Sequence, residues 1–513
     1  MFEKYLDNRL TTLFFLPFAI GSLSVFSFQP FNFTLINFLI LPLFFYLIVY
    51  IKKKSKSIYR KKPYKKNLFI FGTVFGFGFY LSGIHWIINS LTFDENLKVL
   101  IPAALIFIPL FLSLFFSLGI LSIGPFLSPN LSSIFLFSGL LSFSDFIRAK
   151  ILTGFPWNLW AYSFSWSTEF IQILNSIGLF SFNLICITIF TLPAVLFFNF
   201  TSKKLFLVIF FYFCFFLTFY IYGNYITNQN QKYLNSINEK FYIKVISPNF
   251  KLEYNLSETD IENRLKKLVR YSEPKKNLKT LFIWPEGVFS GYSFEEIKFL
   301  KDSFKKNFSN QHYILFGINR LNNSKEGFFN SLVITDNNLQ IIQEYKKQKL
   351  VPFGEFLPFE KKLEKIGLKK ITEGYGSFLK AGKQENITID KLNILPLICY
   401  EIIFTKFIQT SDSETNVMIN ISEDGWFGNS IGPVQHLTHS IFRSIEEGKN
   451  VIRSTNNGIS AFVNPKGQII KQISEKGYFD VNEIKRVNKT HFAKHGNKIF
   501  FYFVLIYTTF IVI

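Results

Sequence analysis

Apolar residues fill the first 222 positions in long stretches, at about 10–28, 32–51, 67–90, 98–123, 129–147, 169–199 and 205–222. Each is near or above the ~18–20 residues a helix needs to cross a bilayer. Several contain Gly, Ser or Pro, which helices in lipid tolerate. The pattern predicts a membrane-embedded α-helical bundle of seven helices over residues 1–222. Buried helices of a soluble protein do not explain seven such stretches in succession. No small-residue cleavage site follows the first stretch, so it is expected to stay as a helix and not to be removed as a signal peptide.

Past a polar segment at 223–238 the pattern shortens. Strands are expected at 241–246, 280–284, 313–318, 332–335, 339–345, 392–398, 416–421, 459–463 and 468–473, and helices at 261–271, 294–304 and 434–448. This alternation predicts an α/β domain over 223–498, large enough to bury its own core. A last apolar stretch covers 499–513. As a helix it reaches about 22 Å, short of the ~30 Å hydrocarbon core. It is read as one further crossing, ending near the inner headgroups.

Charge orients this arrangement. Residues 1–222 hold 16 bases and 6 acids, and the segment 52–66 (KKKSKSIYRKKPYKK) alone holds nine Lys or Arg and no acid. With Met1 inside, the inner segments carry 13 bases and the outer ones 3. Positive charge concentrates on the cytoplasmic side, so seven crossings put everything after Tyr222 outside. The formal net charge is +21, but no nucleic-acid-binding motif accompanies it.

Three cysteines occur, and Cys399 alone lies in the α/β region. An unpaired thiol in an oxidising compartment marks a candidate reactive site. It ends an apolar strand and precedes an acid-led segment whose helix-like start favours thiolate. Its plainer reading is a small core residue. Two more polar segments end strands: residues 284–287 (WPEG) with Glu286, and 345–355 (YKKQKLVPFGE) with Lys346, Lys347 and Lys349. Glu286 also reads as a helix-start acid and Lys347 as a solvated charge. No zinc-ligand spacing, Walker loop or GxGxxG is present.

In this order, acid, lysine and cysteine resemble the nitrilase superfamily, with its Glu–Lys–Cys triad on an αββα sandwich. With the membrane stretches, the chain resembles the apolipoprotein N-acyltransferase family over nearly its whole length. The matching segments are 26–31 (FSFQPF), 83–86 (GIHW), 153–158 (TGFPWN), 284–287, 350–355 (LVPFGE), 398–401 (ICYE), 421–433 (ISEDGWFGNSIGP), 435–436 and 453–458 (RSTNNG).

The resemblance implies Cys399 as the nucleophile and Glu286 as the general base. It implies Lys347, eight residues before Glu355, as the oxyanion stabiliser, with a main-chain N–H just after Cys399. Lys346 and Lys349 do not match that spacing. Glu355, Tyr400 and Glu401 match supporting positions. Lys349 departs from the family, where His is frequent; a further ammonium there is expected to lower the proton affinity of Lys347. Tyr254 is a looser match to a family aromatic.

The implied reaction moves an acyl chain from a phospholipid donor, through a Cys399 thioester, to the α-amino group of a diacylated apolipoprotein. It implies a multi-pass protein of the bacterial inner membrane, with the catalytic domain in the periplasm and no cofactor. Two other readings stand beside it: a membrane-tethered nitrilase-type amidase that passes the thioester to water, and a transporter or scaffold whose outer domain only binds.

Overall fold

A computed structural model describes residues 6–54, 64–198, 201–229, 232–233, 241–322, 324, 327–358, 360, 377–405 and 415–512. Most of the basic segment 52–66 and much of the polar segment 223–238 lie outside these residues. The chain divides into two compact units, Met1–Asn228 with Lys494–Ile513, and Gln229–Ala493.

The first unit is helical. Among the described residues, six of its helices are long and apolar enough to cross a membrane: Thr34–Lys54, Tyr64–Thr92, Glu95–Ile123, Leu131–Arg148, Leu174–Phe197 and Ser202–Asn228. The first and last apolar stretches form shorter helices, Thr11–Ser27 and Lys498–Ile511. The expected helix over 169–199 is broken: Thr168–Ile171 is separate, and Gly178 interrupts Leu174–Thr191 with a φ of 73°. Small residues set the closest packing. A Cβ on Gly72 or Gly76 would fall 2.9 or 2.8 Å from the Cα of Ser117 or Ser113. Such seams let helices approach where lipid provides no hydrophobic drive between them. Two of the matching segments meet here: the Asn158 amide fills the space beside Gly83, where a Cβ would lie 2.0 Å away. Arg148, buried with Asp145 at 2.9 Å, donates to the Phe155 and Trp157 carbonyls and so fixes the 154–158 turn.

The second unit holds two six-stranded sheets. Its sheet strands are β1 (Tyr242–Ser247), β2 (Thr280–Ile283), β3 (His312–Leu321), β4 (Phe328–Thr335), β5 (Ile341–Lys346), β6 (Ile387–Ile389), β7 (Leu392–Ile398), β8 (Val417–Glu423), β9 (Asn450–Asn456), β10 (Ser460–Val463), β11 (Ile469–Ile473) and β12 (Gly477–Val481). One sheet runs β12-β1-β2-β3-β4-β5 and the other β11-β10-β9-β8-β7-β6. The pairs β1–β2, β2–β3, β7–β8 and β8–β9 are parallel.

Val245, Ile283, Leu315 and Leu332 of the first sheet share one core with Ile394, Ile398, Ile419 and Ile452 of the second. Each such side chain contributes about 1.5–3 kcal/mol on burial. Helix Glu258–Ser272, started by a Ser257–Asp260 capping box, covers the outer face of the first sheet with Ile261, Leu265 and Leu268. Helix Gly432–Glu447 packs on β9 and β10 of the second. The layers are therefore helix, sheet, sheet, helix, as the nitrilase resemblance implies.

Three strands escape the hydrophobic pattern. β9 (NVIRSTN) is polar in sequence yet buried throughout, because its side chains are hydrogen-bonded and not simply apolar. β6 and β12 are short, at three and five residues. The expected helix over 294–304 is a 3₁₀ turn, Glu296–Leu300, followed by Lys301–Asn307.

Candidate active site

Three strand ends carry the chemistry. Beyond β2 the chain turns through Trp284, Pro285, Glu286 and Gly287. Trp284 is buried and donates through Nε1 to Ser272 Oγ at 3.0 Å, which anchors the turn. Gly287 takes a φ of 77°, open to glycine at little cost. Glu286 presses on β3 at Gly317, where a Cβ would fall 2.9 Å from the Glu286 Cα.

Lys347 follows β5. Successive strand side chains point to opposite faces. Lys346 accordingly lies over the Phe329 ring at 4.7 Å, whereas the Lys347 side chain is 1% exposed. Lys349 lies over the Phe404 ring at 5.0 Å. The fold thus separates three lysines that are rivals by residue type, and buries the one that the spacing to Glu355 favours. Cys399 follows β7, half-buried, with a left-handed φ of 49° that costs a non-glycine residue roughly 1–2 kcal/mol.

The first two groups share one hydrogen-bonded cluster. Lys347 Nζ is 2.8 Å from Glu355 Oε1 and 4.0 Å from Glu286 Oε1. Asn330 Nδ2 donates to both of those oxygens, at 2.7 Å each. The Glu423 N–H donates to Glu286 Oε2 at 3.0 Å, and the Val351 N–H to Glu355 Oε2 at 2.8 Å.

Cys399 belongs to the same charge cluster. Burial pushes its thiol up to about 12, Glu286 adds to this, and Lys347 opposes it. Burial also raises Glu286, against the pull of Lys347. Burial alone would lower Lys347, but Glu355, Glu286 and Cys399 outweigh it and hold the ammonium. The resting site is a thiol beside a carboxylate of raised proton affinity and a fixed cation.

Two sequence expectations fail here for physical reasons. The segment after Cys399 is a five-residue 3₁₀ turn, Cys399–Ile403, too short to supply a macrodipole against burial. Lys347 is raised overall and not lowered, because Glu355, Glu286 and Cys399 outweigh burial; burial and Lys380 lower Lys349 itself.

A second layer fixes the cysteine. Glu401 accepts from Ile398 N at 2.9 Å, Gln348 N at 2.7 Å, Lys349 N at 3.0 Å and the Tyr345 hydroxyl at 3.0 Å. It ties the cysteine strand to the lysine loop. Tyr400 packs edge-on against Phe404 at 5.0 Å. Beneath the turn, Asn420 Nδ2 donates to the Leu397 and Cys399 carbonyls at 3.2 and 3.4 Å. Arg453 holds Asn420 Oδ1 and both oxygens of Asp424, the latter at 2.9 and 2.7 Å. His436 Nδ1 lies 3.1 Å from Asp424 Oδ1.

Comparison with known proteins decides the family. Residues 20–192 match the apolipoprotein N-acyltransferase N-terminal domain, and residues 252–478 match carbon-nitrogen hydrolase. The apolipoprotein N-acyltransferase of Rickettsia typhi is 32% identical, over 94% of this chain and 94% of its own. That of Rickettsia prowazekii is 33% identical over 83% and 86%, and that of Rhodopseudomonas palustris 28% over 93% and 90%. The chain belongs to the apolipoprotein N-acyltransferase family. Among solved structures, a CN-hydrolase superfamily protein from Xanthomonas campestris aligns at a TM-score of 0.35 with 14% identity, over 52% of this chain and 96% of that one.

Within this acyltransferase family chain, Glu286, Lys347, Glu355 and Cys399 come together, and Glu401 braces them. Tyr254 lies across from Trp426, with ring centroids 6.2 Å apart. Sequence reasoning gave no role to Asn330, Asn420 or Glu423. The last two lie in β8, in or beside a matching segment, and polar residues in such a buried strand are a signal in themselves. Asn330 had only the local signal of a polar residue in the apolar run FFNSLV.

Proposed function

We propose that this chain transfers an acyl group from a membrane phospholipid to the α-amino group of the S-diacylglyceryl cysteine of an apolipoprotein. Cys399 is the nucleophile, Glu286 the general base and Lys347 the oxyanion stabiliser. The observation that carries the reading is the buried Lys347 ammonium, held between Glu286 and Glu355 beside the Cys399 thiol.

In the first half-reaction Glu286 takes the thiol proton as Sγ bonds to the ester carbonyl carbon. A base of raised proton affinity suits a thiol held near 12. Lys347 and a main-chain N–H after Cys399 offset the oxyanion charge. The C–O bond breaks, Glu286 returns its proton to the leaving oxygen, and a lysophospholipid departs. In the second half the α-amine attacks the thioester and yields a proton to Glu286. The C–S bond breaks and Sγ is reprotonated. The ester already holds the acyl group in activated form, so the reaction needs no further energy source.

Both substrates are anchored in lipid, and pulling a chain out of a bilayer costs ~0.8 kcal/mol per CH₂. An enzyme with apolar helices in that bilayer avoids this cost. The apolar stretches support seven crossings before the catalytic unit and one after it, and the distribution of Lys and Arg supports a catalytic unit on the periplasmic side of the bacterial inner membrane.

The test is the intact mass of the full chain mixed with phospholipid alone. One acyl mass on Cys399 and one lysophospholipid released are expected, with discharge on adding a diacylated lipopeptide bearing a free α-amine. Cys399→Ala and Glu286→Gln should form no adduct. Continuous lysophospholipid release without acceptor would instead mark a hydrolase.

A further inference from the structure

A fourth carboxyl lies behind the cluster with no part in the reaction just described. Glu423 ends β8 and is 3% exposed. Its main-chain N–H donates to Glu286 Oε2 at 3.0 Å. Its carboxyl folds back against the same turn: a Cβ on Gly287 would fall 2.8 Å from Glu423 Oε2.

The partners of that carboxyl are neutral amides. Gly425 N donates at 2.8 Å, Asn456 Nδ2 at 2.6 Å and Asn457 Nδ2 at 3.3 Å. Asn456 in turn exchanges hydrogen bonds with the Phe250 main chain, at 2.7 and 3.0 Å. One side chain thus joins the turn that carries Glu286 to two turns at the end of the second sheet. The charged and titratable groups facing it are Glu286 across Gly287, Asp424 beside it in sequence, and Arg264 from helix Glu258–Ser272. Lys347 and Cys399 lie beyond Glu286. Asp424 is already neutralised by Arg453, and Arg264 is occupied with the Lys251 carbonyl at 2.7 Å.

We propose that Glu423 is a positioning residue for Glu286, holding that carboxylate through its main-chain N–H and passing its own charge to it across the Gly287 turn. The inference rests on the reading of Glu286 as the base. Burial pushes Glu423 up to about 8, against the three amides. Below that pH it is neutral and leaves Glu286 unopposed. Above it, a second negative charge raises the proton affinity of Glu286, which becomes the stronger base. The Cys399 thiol, near 12, does not titrate in this window.

The experiment is the rate of thioester formation from phospholipid, without acceptor, by the full chain in detergent between pH 6.5 and 9.5. The natural chain should show a rise with an inflection near pH 8. Glu423→Gln, which keeps shape and main chain but cannot ionise, should lose that inflection. Asn457→Gly keeps the left-handed φ of 52° but removes one donor. It should move the inflection up by about half a unit to one unit, the worth of one net hydrogen bond.

A natural chain without an inflection, or a Glu423→Gln profile that keeps it, would overturn the proposal. If Glu423→Gln does not fold, an unmoved inflection in Asn457→Gly overturns it equally. If Glu286→Gln forms thioester at the natural rate, the base assignment fails. If Glu286→Gln is inactive and Glu423→Gln keeps the natural profile, only the present inference fails.

Discussion

Lys347 Nζ donates to Glu355 Oε1 at 2.8 Å, and neither side chain is more than 9% exposed. The pair comes from one short loop, yet it is buried, where a lone charge is costly. Glu355 therefore makes the buried ammonium tolerable as well as orienting it.

That relationship gives a test by double substitution. Glu355→Leu alone removes the carboxylate nearest the cation, leaving Glu286 at 4.0 Å, and should destabilise the catalytic unit by up to about 3–5 kcal/mol. Lys347→Met with Glu355→Leu removes both charges and should recover most of that loss. Neither variant should form thioester. Thermal unfolding in detergent reads the first effect and intact mass the second. Equal destabilisation by the single and double variants would show that the pair is not the source.

The Arg453–Asp424 pair predicts an acid dependence of stability. Burial alone would raise Asp424, but Arg453 and His436 hold its carboxyl well below the usual carboxylate range. A depressed folded value favours the fold above the unfolded value and loses that contribution as pH falls. Unfolding temperature should therefore drop steadily on acidification from the ordinary Asp range downward. Asp424→Asn should melt lower at neutral pH and show a shallower acid slope. Parallel slopes for the two proteins would contradict this.

Thiol reactivity should follow the raised proton affinity of Cys399. With the thiol near 12, its thiolate fraction grows about tenfold per pH unit through the accessible range. Alkylation by iodoacetamide, read by peptide mass so that Cys186 and Cys214 are separated, should climb from pH 7 to 10 without a plateau. A plateau near pH 7 would mean a resting thiolate.

Membrane orientation is open to reporter fusions. The 13-to-3 distribution of Lys and Arg predicts that a reporter active only outside the cytoplasm works when fused at Asn230 and is silent at Ser57. The reverse pattern would overturn the topology.

The membrane helices and most strands of the sandwich follow from the sequence alone, because each depends on a local count of apolar side chains. A run of twenty such residues has few stable states other than a helix in lipid, and a short apolar run between turn residues has few other than a buried strand. The motifs likewise make Glu286, Lys347 and Cys399 candidates, since each ends a strand.

Tertiary structure decides what those residues are beside. Which of Lys346, Lys347 and Lys349 is buried depends on the face β5 turns inward. β9, too polar to be expected as a strand, is a core strand because Arg453, Ser454 and Asn456 find partners on distant segments. Asn330 and Glu423 reach Glu286 only when β4, β8 and the β2 turn converge. The protonation of Cys399 inverts the local expectation for the same reason. A nearby turn suggests a stabilised thiolate, but burial and an opposing carboxylate are properties of the packed sheets, and they act more strongly than a five-residue turn.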